Sequence, residues 1–161
     1  MIKYAKKDNF YSIFPMGKIP NDWEELTKEE YDKHFEKSLS ELKAEKLAEL
    51  TAITSHYDNQ LVNTDMIIKS SLGFVINADL RSQNNLRGLI SVGAEPVNFV
   101  AADNRVKSLS LAELNTLLNE CALNGQSLYL QKWGYKAQIE NAQTKEELEA
   151  IELKFTMKDF S

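Results

Sequence analysis

The chain is poor in the residues that build the commonest catalytic and metal centres. Its 161 residues include one cysteine, Cys121, which excludes an internal disulfide, and only two histidines, which leaves no plausible zinc ligand set. The six glycines are dispersed and form neither a GxGxxG fingerprint nor a phosphate loop. No apolar run approaches the roughly 20 residues of a membrane span. The N-terminus has no apolar core, so we expect no signal peptide.

The composition of the chain is that of an ordinary globular protein with an excess of acidic over basic residues. Hydrophobic residues make up 43% and charged residues 27%, and the formal net charge is −5. Negative charge argues against nucleic acid as a partner, since phosphate binding needs a positive surface. The basic, aromatic N-terminus around Lys3 and Phe10 could stack on bases, but a strand that packs its aromatics on the core or on a partner fits the acidic remainder better.

Five residues are the strongest candidates for chemistry, and each has a structural explanation. His34 and His56 lie alone on and after a charged helix, as solvated or capping histidines. Cys121 stands in an apolar helical segment, which favours a buried thiol over a nucleophile. Asp79 and Asp103 fall where a helix cap and a turn are expected, although their apolar surroundings could shift a carboxyl pKa. We therefore predict no catalytic, cofactor-binding or metal-binding residue, no cofactor and no enzymatic activity.

A long amphipathic helix is predicted over residues 27–54. Thr27 and Glu30 match a capping box, in which the side chain of each residue accepts a hydrogen bond from the backbone amide of the other at the start of a helix. Apolar residues then recur at helical spacing, at Tyr31, Phe35, Leu39, Leu42, Leu47, Leu50 and Ile53. The stripe has two interpretations: packing on a core, or a coiled-coil surface through which the helix forms a homo-oligomer.

The remaining elements follow from caps, turns and alternation. Residues 10–14 predict a strand, and the polar residues 21–26 and 55–64 predict connections. Two hairpins are expected, one within 65–77 and one joining 97–102 to 106–109, and a helix over 80–92 lies between them. A helix from Leu111 runs on towards Ala142 and buries Leu128, Trp133 and Ile139, with a break or kink possible at Gly125 or Gly134. A capping box at Thr144 and Glu147 starts a final short helix.

These elements predict an α+β fold. A small antiparallel sheet built from the two hairpins packs on helices, and the long amphipathic helix lies near the N-terminus. We expect an N-terminal region, 1–64, made of the strand, the turn and the long helix, followed by an α+β domain over 65–161.

Three blocks of the chain, taken in order, resemble the signatures of one known family. Residues 77–86, NADLRSQNNL, are similar to a DxRSQxNL signature. Residues 99–114 resemble a W-x-x-ADN-x-V block, with Phe99 where the family often has Trp, and residues 139–151 are similar to a closing I-x-x-A-x-T-x-E-E-L-x-A-I pattern. In this order the blocks resemble the DUF4376 family of phage and prophage tail-region proteins. The N-terminal residues 20–31 resemble, more weakly, the opening of tail-fibre assembly proteins.

The resemblance implies a function without covalent chemistry, because no catalytic residue is established for the family, whose members usually lie beside tail-fibre or tail-tip genes. It implies a tail-fibre assembly accessory or chaperone in the cytoplasm of the host cell, with a phage tail-fibre or other tail protein as its partner. One alternative is a structural tail component retained in the particle. A second alternative is a hydrolase acting on cell-surface glycans. Neither nucleic acid nor a membrane is expected as a partner.

Overall fold

A computed structural model describes residues 2–54, 60–62 and 64–161. It divides into two compact units, Met1–Glu41 and Leu42–Ser161. His56 and most of the predicted 55–64 connection lie outside the described residues. The elements are, in order, β1 Lys3–Lys7, β2 Phe10–Phe14, β3 Glu24–Leu26, α1 Lys28–Phe35, α2 Leu39–Ile53, β4 Ile67–Lys69, β5 Val75–Asn77, α3 Leu80–Val92, β6 Val97–Val100, β7 Val106–Leu109, α4 Leu111–Asn141 and α5 Lys145–Glu149.

The α+β class is confirmed, while the sheets are smaller and more numerous than predicted. Each predicted hairpin forms a 2-stranded antiparallel sheet of its own, β4–β5 and β6–β7. A 3-stranded antiparallel sheet, in the order β2-β1-β3, forms in the N-terminal unit. Its strand β3 corrects the prediction of a polar connection at 21–26. Two cross-strand ion pairs, Lys6–Glu24 at 3.1 Å and Lys3–Glu25 at 2.8 Å, join β3 to β1.

The continuous helix predicted over 27–54 is wrong, because the chain leaves helical geometry at Glu36, whose ψ is 126°. The Thr27 capping box starts α1 as expected. A second box then starts α2: the amide and hydroxyl of Ser38 donate to Glu41 Oε2 at 2.7 Å, and the amide of Glu41 donates back to Ser38 Oγ at 3.3 Å. The apolar stripe of one long coiled-coil helix is therefore absent, and Leu50 is buried in the core.

The second unit is organised around α4, the longest helix at 31 residues. It begins with a capping box of Ser110 and Glu113, and it continues without a break through Gly125 and Gly134. The core that it covers combines both hairpins and α3, and contains Ile68, Ile76, Ala78, Leu86, Leu109, Leu114, Leu117 and Cys121. Phe99 is partly buried and packs against this core.

One predicted core residue of α4 is exposed. Leu128 and Ile139 are buried as expected, whereas Trp133 keeps 48% of its surface accessible. The reason is helical geometry: at 100° per residue, Trp133 lies about 140° around the helix from Leu128. At the last helix, Thr144 caps α5 as predicted, but Glu147 accepts from the amide of Gln143 rather than from that of Thr144, so the capping box is incomplete.

The last ten residues lie in extended form against α4 and β4. Side chains of α4 bond to their backbone: Asn124 Oδ1 accepts from the amide of Lys158 at 2.9 Å, and the side chain of Gln131 both donates to and accepts from Thr156. The amide of Phe160 then donates to the carbonyl of Lys69 at 2.9 Å. These bonds satisfy backbone groups that belong to no regular strand pairing.

Candidate functional site

Asp79 acts as a helix cap, and Asp103 and Asn104 act as turn formers. Asp79 Oδ1 accepts from the amide of Ser82 at 2.8 Å and caps α3. Asn104 adopts the left-handed φ of 62° in the β6–β7 turn, beside Asp103. The amide of Arg105 donates to Asp103, and this bond, together with the neighbouring guanidinium, holds the pKa of Asp103 below its ordinary value. A lowered pKa keeps this carboxylate ionised, which suits a turn and does not suit a general acid.

Cys121 and His34 also occupy the structural environments that the sequence predicted. Cys121 is fully buried in the core, and burial raises the pKa of its thiol to about 12. A thiol with so high a pKa is protonated at neutral pH and is a poor nucleophile. His34 is exposed on α1, and its ring stacks on that of Tyr11 with the centroids 3.4 Å apart.

Sequence reasoning missed one buried acidic residue, Glu120. It lies on the inner side of α4 at helical spacing from Leu117 and Asn124, and this spacing was the available signal. Its Oε1 accepts from the amide of Ser71 at 3.0 Å and from the hydroxyl of Ser71 at 2.5 Å. The carboxylate therefore fastens the β4–β5 turn to α4. Among the described residues its Oε2 has no hydrogen-bond partner.

Two clefts are lined in part by charges that already have partners. A cleft of about 330 Å³ in the N-terminal unit includes Lys6, Glu24 and Glu30. Lys6 is paired with Glu24, which raises the pKa of Lys6, while Glu30 caps α1. A cleft of about 300 Å³ in the second unit includes Lys69 and Arg105, which pair with Asp159 at 3.0 Å and with Asp103 at 2.7 Å. These charges serve the fold.

Neither a metal-binding cluster nor a membrane-spanning helix is present in the part of the chain that the structure describes. Residues 2–54, 60–62 and 64–161 contain no group of three or more His, Cys, Asp and Glu side chains arranged to hold a metal ion. Across those same ranges, no helix combines the length and the apolar character needed to cross a bilayer.

The most unusual surface of the second unit is the solvent side of α4, here called the α4 outer face. Between Ala112 and Ala137 it consists of the exposed helix residues Ala112, Asn115, Asn119, Ala122, Leu123, Gln126, Tyr129, Leu130, Trp133, Gly134 and Ala137. At 3.6 residues per turn these residues form one band along the helix. None of them is charged, and charge enters the band only at its C-terminal end, where Glu140 is exposed and Lys136 Nζ lies 4.7 Å from the centroid of the Trp133 ring.

The centre of this face is apolar. Leu130 is 62% exposed and Trp133 48%, and Tyr129 contacts Trp133 with the ring centroids 6.1 Å apart. Solvated helix faces normally carry charged residues, and contiguous exposed apolar patches of this kind mark interaction surfaces. The α4 outer face is therefore the best candidate for a functional surface in this unit.

One family model matches most of the second unit. A family model described as "Domain of unknown function (DUF4376)" matches residues 41–152, a range that contains all of α4. Searches of curated proteins and of solved structures returned no match.

Proposed function

Because the chain belongs to the DUF4376 family, we propose that it is a non-enzymatic assembly accessory of phage or prophage tail fibres, a chaperone that binds a tail-fibre or receptor-binding protein. Two observations support the proposal. The sequence blocks at 77–86, 99–114 and 139–151 resemble a family whose members lie beside tail-fibre and tail-tip genes. The α4 outer face, within the matched range, offers an uncharged, partly apolar surface suited to a protein partner.

The α4 outer face is the observation that carries the proposal. A chaperone must cover apolar surface of its client before assembly, and it needs an apolar surface of its own to do so. Leu123, Leu130 and Trp133 provide that surface on a rigid helix, flanked by the uncharged amides of Asn119 and Gln126. The matching client surface is an apolar, uncharged segment of the fibre protein. The proposed place of action is the cytoplasm of the host cell during phage assembly.

Co-expression with a tail-fibre protein of the same phage or prophage, followed by affinity capture, tests the proposal. The wild-type chain should retain the fibre protein, and Leu130→Asp should lose it, because a carboxylate in the contact would be buried without a partner. Val100→Asp is the matched control: Val100 is also an exposed apolar residue but lies on β6, so this variant should still capture the fibre. Circular dichroism should show that both variants remain folded.

Each contrary outcome has a defined meaning. Failure of the wild-type chain to capture the fibre protein overturns the chaperone proposal. Capture that survives Leu130→Asp rejects the α4 outer face as the binding surface. A fall in molecular mass on Leu130→Asp, without loss of capture, would assign this face to a second copy. Mass spectrometry of purified particles separates the alternatives further, because a chaperone is absent or substoichiometric and a structural tail component is present at fixed copy number.

A further inference from the structure

The N-terminal sheet has one protected edge and one unprotected edge. Its order, β2-β1-β3, makes β2 and β3 the two edge strands. Edge strands usually carry charges that discourage pairing with other chains. β3 follows this rule with Glu24 and Glu25, whereas β2, the segment FYSIF, carries no charge. Phe10 is 72% exposed and Ile13 47% exposed on β2.

The register of β1 and β2 shows which backbone groups of β2 lack a partner in the sheet. Residues Asp8 and Asn9 form a two-residue loop, and Lys7 lies opposite Phe10. The pair next to such a loop exchanges hydrogen bonds, and these pairs alternate along the ladder, so Ser12 and Phe14 also bond inward. The amide and carbonyl groups of Tyr11 and Ile13 therefore point away from β1. Among the described residues, no strand pairs with this outer edge of β2.

The sequence of β2 is complementary to itself in the antiparallel direction. With Ser12 opposite Ser12 of a second copy, Tyr11 lies opposite Ile13 and Phe10 lies opposite Phe14. The outward groups of Tyr11 and Ile13 then exchange hydrogen bonds across the two copies. The aromatic rings of Phe10 and Phe14 come together on one face, and such cross-strand pairs stabilise sheets.

We propose that β2 pairs antiparallel with β2 of a second copy of this chain, about a two-fold axis at Ser12, to form a homodimer. This pairing joins two 3-stranded sheets into one continuous sheet whose outer edges are both β3. Glu24 and Glu25 protect those edges, so assembly stops at the dimer. Pro15 has no amide hydrogen and limits the pairing to the five residues of β2.

Within a second copy, β2 fits this edge better than β3 does. Pairing of β2 with β3 of another copy is a head-to-tail contact, which does not close and would bury the Glu24 and Glu25 charges beside apolar residues. The N-terminal sheet also lies outside the matched range 41–152, so the dimer is a property of this chain's own N-terminal unit. It is independent of fibre capture by the α4 outer face.

Light scattering of the full chain after size exclusion tests the dimer. The wild-type protein should have twice the 18.4 kDa mass of one chain. Ser12→Lys should halve the measured mass, because two ammonium groups would then face each other across the axis. Ser91→Lys is the matched control: Ser91 is exposed on α3, and this variant should stay dimeric.

Mixing two variants separates loss of pairing from loss of folding. Ser12→Lys and Ser12→Glu should each be monomeric alone, and together they should form a heterodimer because opposite charges then meet at the axis. An unfolded N-terminal unit could not be rescued in this way. A monomeric wild type, or a Ser12→Lys variant that remains dimeric, overturns the proposal. A monomeric wild type whose fibre capture is lost on Ser12→Lys would assign the edge to the fibre protein.

A cysteine at the axis tests the register. In a non-hydrogen-bonded antiparallel pair the two Cα atoms are about 4.5 Å apart, within the range that a disulfide spans. Ser12→Cys should therefore form a disulfide-linked dimer under mild oxidation, whereas Ser91→Cys should stay a single chain on a denaturing gel. The native Cys121 does not interfere, since it is buried. Failure of Ser12→Cys to cross-link overturns the proposed register.

Discussion

At the scale of single residues, this chain uses its polar side chains to end and start elements. Asp79 and Ser110 cap helices, Gly93 ends α3 with a φ of 68°, and Asn104 turns the second hairpin. All four roles were predictable, because a cap or a turn depends on residues within a few positions along the chain.

The burial of Cys121 gives a prediction about pH. Burial raises the pKa of its thiol from 9.0 to about 12, so folding favours the neutral form. The resulting stabilisation is fully present below pH 9 and is lost as the pH rises through about 12. Urea unfolding at increasing alkaline pH should show the wild type losing more stability than Cys121→Ala. Equal losses in the two proteins would contradict this account.

At the scale of elements, sequence reasoning failed where two local signals competed. The apolar stripe of residues 27–54 suggested one helix, but the Ser38–Glu41 capping box starts a new one. That box follows the same S-x-x-E rule that located the start of α4. β3 was missed for a different reason: a three-residue strand with two glutamates has little intrinsic β preference, and only pairing with the lysines of β1 stabilises it.

The two sides of α4 give a matched prediction. Leu117 is 0% exposed on the core side, and Leu123 is 47% exposed on the α4 outer face. Leu117→Ala should lower the free energy of unfolding by about 2–5 kcal/mol, because it leaves a cavity in the core. Leu123→Ala removes the same atoms on the same helix and should cost about 0.5 kcal/mol or less. Chemical denaturation of both variants measures the difference, and equal losses would contradict the assigned faces.

At the scale of the whole molecule, contacts between distant parts of the sequence decide the architecture. Glu120 fastens the β4–β5 turn, and Asn124 and Gln131 hold the extended C-terminal residues. In each of these contacts the two residues are more than 20 positions apart in the sequence, so no local pattern predicts the contact. The two proposed interaction surfaces are also tertiary features, since they depend on which side of a helix or sheet remains uncovered.

The Asn124 contact predicts a change in backbone protection. Asn124→Ala removes the acceptor of the Lys158 amide and leaves that amide without its bond. Hydrogen–deuterium exchange over residues 154–160 should therefore become faster than in the wild type. Asn119→Ala, on the α4 outer face, is the control and should leave this exchange unchanged. Unaltered exchange in Asn124→Ala would show that other contacts hold the segment.

The sequence by itself determined the α+β class, the two hairpins, the caps of α1, α3, α4 and α5, the burial of Cys121 and the family. Each depends on nearby residues or on a periodic pattern, and both can be recognised in the amino-acid sequence alone. Tertiary structure alone decided that Glu120 bonds to Ser71, that Asn124 bonds to Lys158 and that β2 lies at an edge. Such contacts and an edge position depend on what packs against an element, and that partner comes from elsewhere in the chain.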